Sequence, residues 1–459
     1  MKKLLFILPL IFLLSGCYNT EEPRQEELKI YNWADYIGDS VLEDFQAYYK
    51  QQTGKNIKII YQTFDINEIM LSKIEKGHED FDVVCPSEYI IERMLKKHLL
   101  LPIDTVFAHS PNYLNNVSPY IRAQINRLSQ PNERAGDYAV CYMWGTTGLL
   151  YNKRLVPDSD AESWSCLWNK KYKGEILMKD SYRDAYGTAL VYAHRKDLAE
   201  GKETVAQLMN DYSPQAMDSV EKYLKLLKKN IAGWEADFGK EMMAKGQTSL
   251  NLAWSGDAVW AIDQAKEVGV KLDYVVPREG SNIWYDGWVI PKYAKNREAA
   301  SYFINFLCRP DIALRNMDFC GFVSSIATPE ILKAKRDTTL SYYSDLSYFF
   351  GPGADNLQID KIQYPDKKVV DRCTMIRDFG DKTVDVLDMW SRVKGDNLGI
   401  GIVILIFVVV VGLSDWLIVK RWRLYKREHQ QSRRIHKKRK LYKEALAAKN
   451  KQAVKRTKK

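Results

Sequence analysis

Between residues 28 and 95 the apolar positions switch repeatedly between a period of two and a period near three and a half. Leu28 and Ile30 mark a strand over 28–31, and Val41, Leu42 and Phe45 mark a helix over 40–52 that Gly54 stops. Ile57, Ile59 and Tyr61 alternate as a strand over 56–61. Asp65 and Glu68 stand three apart, as in a capping box, at the start of a helix that Gly77 ends. Phe81-Asp82-Val83-Val84-Cys85 has the composition of a buried strand, and Ser87 is placed to cap a helix carrying Ile90, Ile91 and Met94. This βαβα succession predicts a largely parallel, doubly wound α/β sheet. A second unit of the same kind follows. Strands are expected over 138–142, 148–151, 174–178, 248–254, 270–276 and 284–290, and helices over 157–171, 183–194, 214–229 and 296–307, with a closing helix over 379–393.

Both ends of the chain depart from this pattern. Lys2 and Lys3 precede an apolar run over 4–14 that is too short for a mature membrane span, and Leu14-Ser15-Gly16-Cys17 resembles the bacterial lipobox. Residues 1–17 are therefore expected to be a lipoprotein signal peptide with Cys17 as the lipidated residue, and 18–26 a polar linker. At the other end, residues 398–413 are almost wholly Ile, Val, Leu, Phe and Gly, and Trp416-Leu417-Ile418-Val419 extend the run. At about 1.5 Å per residue this segment covers the roughly 30 Å of bilayer hydrocarbon, so 398–419 is expected to be a transmembrane helix.

Charge sharpens the topology. Residues 420–459 hold 18 Lys and Arg against Glu428 and Glu444, a net +16, and the positive-inside rule puts this tail in the cytoplasm. Taking that +16 and the +2 of Lys2 and Lys3 from the whole chain's +10 leaves −8 for residues 4–419. The expected molecule is an acidic exported domain, held at the outer face of the inner membrane, on a basic cytoplasmic tail. Anionic lipid suits that tail better than nucleic acid, for which no binding module is present.

Few chemistries are left open. The sequence contains no P-loop, nucleophile elbow, zinc-peptidase motif or dinucleotide fingerprint, and its six histidines are scattered. Asp237-Phe238-Gly239 and Asp378-Phe379-Gly380 spell a kinase tripeptide with no catalytic loop before either. Neither catalysis, nor a cofactor, nor a metal is expected. Of seven cysteines, six remain after Cys17, and their spacing suits neither zinc nor a redox motif; disulfides and buried thiols both stay open. The one suggestive stretch is Tyr31-Asn32-Trp33-Ala34-Asp35-Tyr36, a strand-to-helix loop at the carboxyl edge of the first strand, where open α/β sheets bind ligands. Two aromatics and a carboxylate suit a small organic cation. Taken alone, Trp33 serves equally as a core anchor and Asp35 as a turn or cap residue.

That stretch has company. Together with Phe81 to Tyr89, Tyr142-Met143-Trp144-Gly145-Thr146-Thr147-Gly148, Trp254-Ser255-Gly256-Asp257, Pro277-Arg278-Glu279-Gly280, Trp284-Tyr285-Asp286 and Asn305-Phe306-Leu307-Cys308-Arg309-Pro310-Asp311, it resembles the bacterial periplasmic spermidine/putrescine-binding proteins, the receptors of polyamine ABC transporters. The resemblance spans nearly all of residues 27–395. It implies a two-lobed type II periplasmic binding protein fold, with lobe 1 formed by 27–141 and 281–320 and lobe 2 by 142–280 and 321–395. It also implies a polyamine ligand, a permease partner in the inner membrane, and delivery of ligand by hinge closure.

Residue by residue, the resemblance gives Trp33, Asp35 and Tyr36 to a first-lobe loop packing on the ligand, and Ser87 and Tyr89 to a second wall of that lobe. Asp184 stands where an acid faces an amine, and Trp254 where an aromatic lies along the alkyl chain. Asp257 matches an amine-binding aspartate of the putrescine-preferring branch, and Trp284 and Asp286 match the aromatic and carboxylate near the second crossover. Ser181 replaces an aspartate of the spermidine-preferring branch, and Phe322 replaces a tyrosine. Asp257 with Ser181 leans towards a diamine. Trp144, Trp164, Trp168, Trp234 and Trp260 are expected to pack the lobes. Two other functions fit the same layout: a polyamine sensor signalling through the basic tail, and a receptor of this fold for another solute such as iron, thiamine or a sugar.

Overall fold

The computed structural model describes residues 24–395 and 407–422. The chain divides into a unit ending at Val393 and a second beginning at Lys394. In the first unit, β1 (Glu27–Trp33) buries Leu28 and Ile30 completely. Helix α1 (Val41–Thr53) turns Val41, Phe45, Tyr48 and Tyr49 inward. It ends at Gly54, where φ is 74° and the N–H caps the carbonyl of Lys50, a left-handed position that suits glycine. Then come β2 (Lys58–Phe64), α2 (Asn67–Glu75), β3 (Val83–Val84), α3 (Glu88–Lys96) and β4 (Leu100–Leu101).

The expected capping box at α2 does not form. Its N-cap is Ile66, with no side-chain cap hydrogen bond, and Glu68 instead accepts from the Tyr182 and Tyr89 hydroxyls.

Next come β5 (Ala139–Asn152), β6 (Ile176–Lys179), α4 (Tyr182–Ala193), α5 (Pro214–Lys228), β7 (Gly233–Glu235), β8 (Leu250–Trp254), α6 (Ser255–Glu267), β9 (Leu272–Val275) and β10 (Ser281–Pro291). Helices α7 (Arg297–Leu307) and α8 (Pro310–Cys320), short strands β11 (Val323–Ser324) and β12 (Cys373–Thr374), and the closing helix α9 (Thr383–Lys394) complete the unit. The two strand segments expected over 138–142 and 148–151 are one strand, β5. Every residue of β5 and of β10 is buried, so neither carries the alternation that marks a strand with one wet face. The helix expected over 157–171 is broken into Asp158–Ala161 and two 3-10 turns.

The main sheet runs β2-β1-β3-β10-β5-β8-β6-β7. β1 pairs in parallel with β2 and β3, while β10 lies antiparallel between β3 and β5. Residues Ala139–Thr146 of β5 pair with β10, and Thr147–Tyr151 pair with β8. β5 is therefore shared by two half-sheets.

A large core joins the first half-sheet to α1, α3 and α7 and holds Trp144 and Trp288. A second core holds Trp164, Ile176, Tyr186, Leu224 and Leu252, and a smaller cluster packs α6 on β9. Trp168 and Trp234 pack on the second core and Trp260 on the smaller cluster.

One boundary is corrected. Residues 321–395 were expected in the second lobe. Leu346, Phe349, Leu357, Ile359 and Tyr364 are buried in the first core, Ile362 joins the smaller cluster of α6 and β9, and Ile376 to Val393 join the second core. Phe349 stacks on Trp144 at 5.3 Å, which holds this excursion to the first lobe.

Cys85, Cys141, Cys166, Cys308, Cys320 and Cys373 are all free thiols.

In the second unit, residues 407–422 are helical, and Phe407, Val408, Val409, Val410, Trp416 and Trp422 are exposed. Among the described residues no helix is long and apolar enough to cross a membrane. Residues 398–406 of the expected span, the 1–17 segment with Cys17, and 423–459 of the tail lie outside the described residues.

Candidate ligand-binding site

Strand β10 organises the site. Asn282, Trp284 and Asp286 occupy alternate positions and so share one face, whereas Ile283 and Tyr285 belong to the first core. Trp284 lies opposite Gly145 of β5 in the ladder. A Cβ at position 145 would come within 2.5 Å of the Trp284 ring, so a glycine is what lets the indole lie across the strand. Phe322 meets Trp284 edge-on at 5.5 Å and Tyr36 at 5.4 Å, joining two aromatics that the sequence places far apart.

Asp286 sits at a register shift between Asp286 and Gly287 and is buried. Its two oxygens accept from the Tyr36 and Ser87 hydroxyls, both at 2.7 Å. Ser87 is the N-cap residue of α3, yet its side chain makes no cap bond, because the hydroxyl is turned to Asp286. Burial raises the Asp286 carboxyl to about 6, with the Ser87 and Tyr36 hydrogen bonds opposing. Behind it, Glu88 accepts from the Tyr285 N–H at 2.9 Å, and burial lifts that carboxyl to about 8. Burial and the charge of Asp286 raise the Tyr36 phenol well above its usual range.

The second-lobe acids lie at the ends of β6 and β8. Asp184, in the first turn of α4, accepts from the Thr147 hydroxyl at 2.9 Å and from Trp254 Nε1 and Asn282 Nδ2 at 3.4 Å each. One face of β10 thus carries Asp286 and, through Asn282, a link to Asp184, with Trp284 at the strand position between them.

Asp257 is differently placed. The Lys179 ammonium lies 2.9 Å from its carboxylate, 3.1 Å from Glu235 and 4.2 Å from the centre of the Trp254 ring. Lys240 stands 3.9 Å from the same aspartate. The amine that Asp257 holds in this structure belongs to the chain. Burial alone would lower the Lys179 pKa, but Asp257 and Glu235 outweigh it and raise it.

Residues from both cores meet beside these acids. Glu68 accepts from the Tyr182 hydroxyl at 2.7 Å, and the buried Arg183 guanidinium lies 3.5 Å from the Tyr89 ring centre and 4.1 Å from that of Phe379. Arg93 pairs with Asp378 and Arg377 with Glu92, which tie α3 to the segment leading into α9. The second kinase-like tripeptide is therefore a structural join.

Of the residues expected at the site, Tyr36, Ser87 and Asp286 form one hydrogen-bonded set, Asp184 and Trp254 another, and Trp284 lies between. Tyr89 is at the join, where Asn67 donates to its hydroxyl at 2.9 Å. Trp33 packs on Phe64 at 4.5 Å. Asp35 is exposed in a left-handed turn (φ 51°) and is not among the buried acids. Thr147, Asn282, Arg183 and Lys179 were not foreseen. Lys179 ends the otherwise apolar run Ile176-Leu177-Met178, and a cation directly after a buried strand was the available signal.

Residues 43–338 match the family of bacterial extracellular solute-binding proteins. The spermidine/putrescine-binding periplasmic protein of Escherichia coli strain K12 is 31% identical over 369 residues, covering 80% of this chain and 91% of that protein. The putrescine-binding periplasmic protein PotF of the same organism is 29% identical over 339 residues, covering 71% and 85%. The crystal structure of the spermidine/putrescine ABC transporter substrate-binding protein PotD from Streptococcus pneumoniae, in complex with calcium and HEPES, aligns with a TM-score of 0.59 at 29% identity. It covers 80% of this chain and 98% of that one.

Proposed function

Because the chain belongs to the bacterial extracellular solute-binding proteins, with relatives that bind spermidine and putrescine, we propose that it is a polyamine receptor that delivers its ligand to an ABC permease. The observation that carries this reading is the face of β10. Asp286 and the partner of Asn282, Asp184, supply an acid from each half-sheet, and Trp284 lies between them. A polyamine has the complementary layout, with ammonium groups separated by alkyl links. Burying one ammonium unpaired costs several kcal/mol, which a carboxylate offsets, and an aromatic face adds roughly 0.5–2 kcal/mol of cation–π attraction while covering methylenes.

Both half-sheets contribute acids, so a bound polyamine stabilises the closed arrangement over an open one. Closure flexes β5 and β10. Trp33, Tyr36, Ser87, Tyr89, Trp254 and Phe322 complete the surround. No bond is made or broken in this cycle, and no residue is assigned a catalytic role.

We propose further that lipid on Cys17 and the apolar segment 398–419 hold the receptor at the outer face of the inner membrane. The exposed apolar side chains of 407–419 favour that anchoring, as does the basic tail, which suits anionic headgroups. Tethering raises the receptor's effective concentration at the permease.

Titration calorimetry with putrescine, spermidine and unrelated solutes tests the central claim. Saturable polyamine binding below millimolar concentration is expected, and no binding there would sink it.

A further inference from the structure

We infer that Lys179 is a built-in ammonium that fills one cation site of the receptor and so limits the ligand to two charged amines. This rests on the polyamine reading of the site and names the ligand class within it. Lys179 Nζ has what a bound ammonium requires: the Asp257 carboxylate at 2.9 Å, the Glu235 carboxylate at 3.1 Å, the Ala236 carbonyl at 3.3 Å and the Trp254 ring face at 4.2 Å. The side chain is 1% exposed, so the arrangement is a buried binding site and not a surface pair.

The same indole that lies under this ammonium donates its N–H to Asp184 at 3.4 Å. The filled site and the open acid therefore share one side chain.

Counting charges gives the consequence. Asp257 and Glu235 both hold the Lys179 ammonium, and Lys240, which pairs with Asp237 at 2.7 Å, stands 3.9 Å from Asp257, so neither carboxylate is without a cation. Among the described residues, Asp184 and Asp286 accept only from neutral donors: Thr147, Trp254 and Asn282 for the first, Tyr36 and Ser87 for the second. Two unbalanced carboxylates match two ammonium groups. A third amine reaching for the Trp254 face would find it covered by a cation of the chain. The ligand class is thus an α,ω-diamine, and Lys179 is the residue that excludes the triamine.

The test compares putrescine and spermidine by titration calorimetry on the full-length chain and on Lys179→Met. The wild type should bind putrescine at least tenfold tighter than spermidine. Lys179→Met uncovers Asp257 and Glu235, and should shift the ratio of the two affinities at least tenfold towards spermidine. Because the single variant leaves two buried carboxylates without their lysine, the pair Lys179→Met with Glu235→Gln is measured beside it. It removes one charge of each sign, frees Asp257, and should show the same shift.

An unchanged ratio in a folded variant overturns the inference while leaving the receptor reading intact, as does a wild type that prefers spermidine. A wild type that binds neither amine overturns both.

Discussion

Asp286 illustrates how much one carboxylate can be asked to do. It is buried, it is held by two hydroxyls, and it titrates near 6. Its neutral amide keeps the shape and loses the charge, so Asp286→Asn should weaken putrescine binding at least tenfold, about 1.4 kcal/mol, by calorimetry. Protonation removes the same charge, so affinity in the wild type should fall as pH drops below 6, and Asp286→Asn should lack that dependence.

Stability runs the other way. Glu88 sits at about 8 against its usual 4.5, and Asp286 at about 6 against 3.8. The folded chain therefore holds more protons than the unfolded one between these limits. Stability is fullest below the lower values and is lost as pH rises towards the upper ones, by up to about 1.4 kcal/mol per pH unit for each group. Scanning calorimetry of the ligand-free protein should show a higher melting temperature at pH 6 than at pH 8, and Glu88→Gln should flatten that difference.

Part of this was legible one residue at a time: Tyr36 was nameable from its loop after the first strand, whereas Ser87 and Asp286 came from the family resemblance. That the Ser87 hydroxyl leaves its helix for Asp286 was not legible, because capping and recognition compete for the same atom. Lys179 was hidden for a related reason: its two carboxylates lie on β7 and α6, and no local pattern announces a contact between them.

At the level of elements, the two crossing strands decide the geometry. Their existence was readable, but the continuity of β5 was not, since Gly145-Thr146-Thr147 reads as a break when the strand is buried on both faces and shows no alternation. The registry that sets Trp284 over Gly145, and the shift beside Asp286, come from pairing between strands more than a hundred residues apart. Gly145→Ala puts a methyl into the Trp284 ring. The expected result is a putrescine affinity reduced at least fivefold, with the change in intrinsic tryptophan emission on ligand addition altered; unchanged titrations would remove Trp284 from the ligand's surround. The α2 start is a second case. Asp65 and Glu68 had the spacing of a cap, but Glu68 found stronger company in Tyr182 across the join. A tertiary hydrogen bond to a carboxylate outweighs a local one that water can replace.

For the whole molecule, alternation of strands and helices was enough to foresee two α/β cores, and too little to assign the last segment. Residues 344–370 form short turns and single-turn helices whose apolar side chains carry no period, so only contacts such as that of Phe349 with Trp144 show that most of them join the first core, while Ile362 joins the smaller cluster. The membrane-tether reading belongs to this scale too. Deleting residues 420–459 and measuring polyamine uptake in cells separates the receptor from a sensor. Uptake should fall modestly as the receptor is held less firmly at the permease, whereas unchanged uptake with loss of a polyamine-dependent cellular response would favour signalling through the tail.

The pairing of β5 with β10 has a mechanical consequence. Two strands hydrogen-bonded side by side behave as a leaf spring: the ribbon bows readily out of its plane, but sliding or splaying its strands would break the ladder between Ala139–Thr146 and Ile283–Val289. In the proposed closure, a ribbon that bows in one direction would carry the two halves along close to a single path and return Asp184 and Asp286 to the same spacing on every cycle. A measuring jaw of fixed travel can tell a short rod from a long one, and the ribbon gives this receptor such a jaw.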